Sequence, residues 1–210
     1  YIERRVRTCV PCQRRKGPQA KPKAPLQKYV VGAVGERVAS DIVGPFSETI
    51  RHNKYIIVFI CYFSKMAVAV PIPDMSAVTV ARALLERWVC YFGCPLELHT
   101  DRGAQYCSQV FEALCKLLGI ARTHTTPLRP QGDGLCERFN RTLVDMLNCV
   151  GQDFEYEWDI LTPVVTMAYN SSVQESIAET PNKMVYGREL CLPLALLDPE
   201  CEIAERMKVN

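Results

Sequence analysis

A chain of 210 residues, 48% of them hydrophobic, is long enough for one buried core with appendages. Its longest apolar run, residues 55–63, is strand-sized and well short of the ~18–20 residues of a membrane-spanning helix, so no membrane span is expected. The net charge is only +2, yet residues 1–28 hold nine Lys/Arg against one acid, Glu3, a local +8 that leaves −6 for the remainder. Such an arm suits a polyanionic partner or, equally, a solvated linker.

The chain begins at Tyr1 with no secretory signal and reads as a piece of a longer product. Its eleven cysteines are odd in number and irregularly spaced, which predicts reduced thiols in an intracellular protein rather than a disulfide framework. Only Cys9 and Cys12 have ligand spacing, and they supply half of the four ligands a structural zinc needs. The histidines, His52, His99 and His124, all lie downstream, so Zn2+ is expected only in a longer chain. Residues 13–28, rich in Lys, Arg, Pro and Gln, read as an extended linker.

From about residue 30 the pattern is that of a folded core. Residues 36–43 alternate and end in Ser40-Asp41-Ile42-Val43-Gly44-Pro45, a strand with Asp41 just before a Gly-Pro break. Tyr55–Cys61 is continuously apolar and rich in Ile and Val, a strand covered on both faces. Residues 66–71 make a third strand, and the short links predict an antiparallel meander. The period then becomes helical. Ser76 is an N-cap, Val80, Ala81, Leu84, Leu85, Trp88 and Phe92 share a face, and Gly93 ends the helix. Residues 95–100 are a short strand that delivers Asp101. Ser108 caps a second helix with Val110, Phe111, Leu114 and Leu118 on one face and Gly119 as its stop, and residues 120–124 form another short strand. The loop Pro130-Gln131-Gly132-Asp133-Gly134 opens a helix over 135–150, and a further helix runs through Trp158, Leu161, Val165, Ala168 and Tyr169. Three antiparallel strands, then αβαβ, then two helices predict an α/β fold with a mixed sheet flanked by helices.

Three carboxylates stand out. On the 135–150 helix, at about 100° per residue, Leu135, Phe139, Leu143, Met146, Leu147 and Val150 form the apolar stripe, and Glu137 lies off it near Arg141 and Asn148. The core does not explain Glu137; an i,i+4 ion pair with Arg141 would. Asp41 and Asp101 each have a turn residue as the alternative. Set against these readings, carboxylates at the ends of neighbouring strands can converge, and three without a neutralising Lys suit hard divalent cations. Two such ions about 3.5–4 Å apart suit in-line displacement at phosphorus.

The segments Ser40-Asp41-Ile42-Val43-Gly44-Pro45-Phe46, His99-Thr100-Asp101-Arg102-Gly103-Ala104-Gln105-Tyr106 and Gly134-Leu135-Cys136-Glu137-Arg138-Phe139-Asn140-Arg141-Thr142-Leu143, with 35 residues between Asp101 and Glu137, resemble the catalytic core of a retroviral-type integrase. The branch they most resemble is that of gypsy-type LTR retrotransposons. Tyr169-Asn170-Ser171-Ser172, Met184-Val185-Tyr186-Gly187-Arg188 and Leu192-Pro193-Leu194 add to it, and Cys9 and Cys12 resemble the cysteine half of a His-His-Cys-Cys zinc module. The resemblance spans about residues 9–197. Cys61 departs from it, since many relatives carry an Asp after the second strand.

The resemblance implies a ribonuclease-H-like fold. It divides the chain into a remnant zinc-binding module with a basic linker (1–28), a catalytic core (29–178) and a C-terminal extension (179–210). It implies Mg2+ or Mn2+, two per site, at Asp41, Asp101 and Glu137, with element-end DNA as donor and chromosomal DNA as target. Water would trim the 3′ ends, and the freed hydroxyls would attack target phosphates. It places Gln131 and Asp133 in a loop that approaches DNA ends. It offers Arg138 and Arg141 as phosphate contacts, with a surface ion pair as the alternative for each. A homo-oligomer, the reverse transcriptase and ribonuclease H of a Pol polyprotein, and a nuclear site of action are also implied. Two other functions remain open: a non-catalytic nucleic-acid-binding remnant of a retroelement, and a nuclease of the same fold that only hydrolyses.

Overall fold

The continuous apolar run becomes strand β2 (Tyr55–Cys61), and everything else is arranged around its two faces. The computed structural model describes residues 32–124, 134–150 and 157–190, all within one compact unit, Val31–Asn210. Strand β1 (Arg37–Val43) pairs antiparallel with β2, Val38 opposite Cys61 and Asp41 opposite Val58. Strand β3 (Ala67–Ile72) pairs antiparallel with the other side of β2, which completes the expected meander. Strand β4 (Glu97–Thr100) runs parallel to β1 from Arg37↔Glu97 to Ser40↔Thr100. Strand β5 (Ala121–His124) runs parallel to β4. The order is β3-β2-β1-β4-β5. Parallel neighbours need crossovers, and the helices between β3 and β4 and between β4 and β5 provide them.

The first crossover helix, α1 (Ala77–Ala83), starts where Ser76 accepts a hydrogen bond from the Thr79 N–H. It continues through a π-helical segment (Leu84–Val89) into a last turn (Cys90–Phe92). The 3.6 period did not anticipate the π segment. Its wider turn keeps Trp88 inside and leaves Leu85, expected on the core face, 38% exposed. Helix α2 (Gln109–Leu117) starts at Ser108, which accepts from the Phe111 N–H at 3.2 Å. Val110, in its first turn, is exposed rather than inward. Gly93 and Gly119 stop the two helices as expected, both at positive φ (83° and 69°), where a side chain would be strained. Helix α3 (Gly134–Val150) buries Cys136, Phe139, Leu143 and Leu147. Leu135 and Met146, assigned to the stripe, sit at its margin, and Val150, the terminal residue, is exposed. Helices α4 (Trp158–Asn170) and α5 (Pro181–Tyr186) follow.

The sheet separates two cores. On one face Ile57, Phe59 and Cys61 pack with Val80, Leu84 and Trp88 of the first crossover and Phe111 of α2. On the other, Ile56, Val58 and Ile60 pack with Phe139 and Leu143 of α3 and Trp158 and Val165 of α4. Each such large side chain, fully buried, contributes about 1.5–3 kcal/mol. The sheet edge at β3 is tied down by α4. The Asn170 carboxamide accepts from the Ala67 N–H at 3.0 Å and donates to the Ala67 C=O at 2.8 Å. One side chain thus stands in for a missing neighbour strand, a structural use for part of the Tyr169-Asn170-Ser171-Ser172 segment. The seven cysteines among the described residues are all free thiols.

Candidate active site

Period two along β1 decides where Asp41 goes. Ala39 lies in the α3–α4 core, so Asp41, two residues on, projects to the same side. There Asn140 of α3 donates its Nδ2 to Asp41 Oδ2 at 2.7 Å, and the Ile42 N–H donates to Oδ1 at 2.8 Å. The β1–β4 ladder ends at Ser40↔Thr100. Asp41 and Asp101 are therefore the next residues along two adjacent parallel strands, whose backbones run about 4.8 Å apart. Asp101 Oδ1 accepts from the Gly103 N–H at 2.9 Å, the turn contact its sequence allowed, and its backbone carbonyl takes the Thr100 hydroxyl at 2.9 Å. Glu137 is exposed in the first turn of α3, one turn before Asn140. The ion pair with Arg141 that would have explained it does not form among the described residues. Neither Arg138 nor Arg141 pairs with a carboxylate there.

The electrostatics set these acids apart from a structural carboxylate in the same fold. Asp159 is buried, and it is answered by the Thr49 hydroxyl at 2.9 Å, the Asn53 amide at 2.8 Å and Arg51 at 3.4 Å. Among the described residues no cation pairs with Asp41. Burial pushes its pKa above the ordinary carboxylate value, and the charges of Asp101 and Glu137 push the same way. The Ile42 N–H and Asn140 work against them. Asp41 therefore lies within reach of the charges of the other two acids.

A hard divalent cation fits this chemistry. The donors are all oxygen, none of the three carboxylates pairs with Lys or Arg among the described residues, and Asn140 Oδ1 is buried without a hydrogen-bond partner. As placed, no three His, Cys, Asp or Glu side chains among the described residues close on a single ion. Asp41 and Asp101 follow the last paired residues of β1 and β4, and Glu137 stands in the first turn of α3. Cys9, Cys12, Gln131 and Asp133 lie outside the described residues. Beside the site, Arg138 stands near Lys65 and Tyr169. Burial lowers the Lys65 pKa and the Arg138 charge adds to the effect, whereas burial raises the Tyr169 phenol to about 12 against a smaller pull from Arg138.

Sequence reasoning missed Asn140. Its signal was available: three residues after Glu137, it falls between Glu137 and the apolar stripe on the helical wheel. It also missed Tyr106, whose hydroxyl lies 2.8 Å from Ser40 Oγ with both residues fully buried. A polar residue at the inward position next to Asp41 was the only hint.

Comparison with known proteins bears on the family and the fold. Residues 33–130 match the family described as Integrase core domain. The chain is 30% identical over 158 residues to the retrovirus-related Pol polyprotein from transposon 412 of Drosophila melanogaster; the match covers 75% of this chain, which spans 13% of that polyprotein. Its fold is shared with a chain of the simian T-cell lymphotropic virus intasome solved with the PP2A regulatory subunit B56 gamma (TM-score 0.70, 22% identity, 88% of this chain and 65% of that one). It is shared also with the HTLV-2 integrase catalytic core domain in complex with magnesium (TM-score 0.61, 19% identity, 73% of this chain and 97% of that one). The five-stranded mixed sheet with flanking helices is thus the ribonuclease-H-like fold of integrase cores. Over residues 33–130, a little under half of its length, the chain is similar to the integrase core domain family.

Proposed function

We propose that this chain is the catalytic core of a polynucleotidyl transferase, of the gypsy-type LTR retrotransposon branch, that trims the 3′ ends of element DNA and joins them to target DNA. The observation that carries the reading is the placement of Asp41 and Asp101 just past the last paired residues of two adjacent parallel strands, with neither paired to Lys or Arg among the described residues; burial, and after it the charges of Asp101 and Glu137, raises the Asp41 pKa. The magnesium complex of the HTLV-2 core supports the choice of metal for a related fold.

In this reading Asp41, Asp101 and Glu137 would hold two Mg2+ or Mn2+ ions, which would supply Lewis-acid chemistry for in-line displacement at phosphorus. The chain's own residues set the stage. Asn140 fixes the rotation of the Asp41 carboxylate, and the Gly103 N–H fixes that of Asp101. Arg138 and Arg141, without carboxylate partners among the described residues, are available to DNA phosphates. Gln131 and Asp133 would approach the DNA end. In each reaction one P–O bond forms as another breaks in line: water attacks during trimming, and the terminal 3′ hydroxyl attacks during joining. Cys9 and Cys12 would hold Zn2+ only when a longer chain adds two further ligands. A homo-oligomer acting in the nucleus, released from a Pol polyprotein with reverse transcriptase and ribonuclease H, completes the reading.

Glu137→Gln tests it. The substitution removes a negative charge from the site and leaves the apolar face of α3 intact. Joining of a labelled donor end to plasmid should fall by several orders of magnitude, on the order of the losses seen when catalytic machinery is removed, while the melting temperature stays within about 2 °C. Near-normal joining by this variant would falsify the reading. Wild-type cleavage without joining would instead mark a hydrolysis-only nuclease, and DNA binding without either would mark a non-catalytic remnant.

A further inference from the structure

The backbone ladder that aligns β1 with β4 stops at Ser40↔Thr100, one residue short of the two aspartates. Asp41 is still held by β2, opposite Val58. Asp101 is the first residue of a loop, so its distance from Asp41 depends on what anchors that loop. Tyr106 is fastened at several points. Its N–H donates to the Gly103 C=O at 3.0 Å, and its C=O accepts from Arg122 of β5. Its ring meets Phe111 edge-on, 5.4 Å between centroids. From this anchorage its hydroxyl reaches Ser40 Oγ at 2.8 Å. Gly103, which Tyr106 binds, is also the residue whose N–H holds the Asp101 carboxylate at 2.9 Å. A closed circuit therefore runs from Asp41 through Ser40, Tyr106 and Gly103 to Asp101.

We propose that Tyr106 and Ser40 are a positioning pair: their buried hydrogen bond sets the separation of Asp41 and Asp101 and so the affinity of the site for divalent metal. The inference rests on the metal reading of that site. Both residues are fully buried, so the bond has no competition from water. Burial, and after it the charges of Asp41 and Asp101, hold the phenol pKa well above its ordinary value, which keeps the group neutral and bonded to Ser40. Mg2+ tolerates little departure from octahedral geometry, and residues that orient metal ligands from behind typically change metal affinity by about 10–100-fold when removed. A pair that merely satisfied two buried hydroxyls would affect folding and leave metal affinity alone.

The test uses the full chain and Mn2+ alone as the probe, titrated against the melting temperature. Tyr106→Phe deletes one hydroxyl and Ser40→Ala the other. Each is expected to weaken Mn2+ binding by about tenfold or more. The double variant should be no weaker than the worse single variant, because both remove the same bond. Metal-free melting temperatures should fall by only a few degrees. If Tyr106→Phe does not fold, Ser40→Ala decides alone. A wild-type Mn2+ response that both variants retain within twofold overturns the positioning role and leaves the metal site standing. A wild-type chain indifferent to Mn2+ overturns the metal reading and this inference together.

Discussion

Asp41 shows at the scale of one residue how a site differs from a core. Burial, and after it the charges of two acids, favours its neutral form, and among the described residues no base pairs with it. A carboxyl whose folded pKa is raised stabilises the fold fully below the ordinary carboxylate range, and that contribution is lost as pH rises through the raised value. At neutral pH the ionised group therefore costs stability. Asp41→Asn removes the charge. Asn140 can turn its amide so that the unpartnered Oδ1 accepts from the new amide, and the Ile42 N–H keeps an acceptor. The variant is expected to melt about 2–4 °C higher than wild type at pH 7, on the order of 1 kcal/mol. The gap should narrow as pH falls into the carboxylate range. Paired melting curves at pH 7 and pH 4 check this, and a gap that does not change with pH would count against the electrostatic account.

At the scale of elements, each strand and helix does one positional task. The parallel pair β1–β4 brings Asp41 and Asp101 to one sheet end, α3 carries Asn140 and Glu137 past them, and α4 closes the β3 edge. That last task rests on the Asn170 clasp of Ala67. Asn170→Ala leaves a buried N–H and C=O without partners, since Ala67 is 1% exposed, and is expected to cost about 1–3 kcal/mol in chemical denaturation. The aspartate site lies on other strands, so Mn2+ affinity should stay unchanged in the same protein. A loss below 0.5 kcal/mol, taken as about the size of an ordinary surface substitution, would mean that the edge needs no clasp.

At the scale of the whole molecule the charge is unevenly divided: residues 1–28 carry +8 and the remainder −6. Mn2+ that binds only the folded chain should stabilise it by mass action, by about 2.7 kcal/mol at a concentration 100 times Kd, or roughly 5–10 °C in Tm. Asp101→Asn should abolish the shift. A wild-type curve unmoved by millimolar Mn2+ would show that the acids do not form a site.

Element types could be read from the sequence because they depend on local periodicity. Tyr55–Cys61 has no polar residue to give it a solvent face, Ser76 and Ser108 cap by their own side chains, and Gly93 and Gly119 stop helices by adopting positive φ. Glu137 could be singled out because a 3.6 period has no core use for it, and the 35 residues from Asp101 carried the family resemblance. Other features depend on contacts between residues far apart in the chain. The Asn140–Asp41, Tyr106–Ser40 and Asn170–Ala67 bonds join positions 99, 66 and 103 residues apart, and no local period encodes such a meeting. The π segment over Leu84–Val89 and the exposure of Leu85 were likewise decided in three dimensions, where packing against the sheet outweighs the regular helical repeat. The sequence by itself determined the element types and marked Asp41, Asp101 and Glu137 as the candidates. Only the tertiary structure decided which neighbours hold them, because hydrogen bonds between distant segments exist once the sheet register has brought their donors and acceptors together.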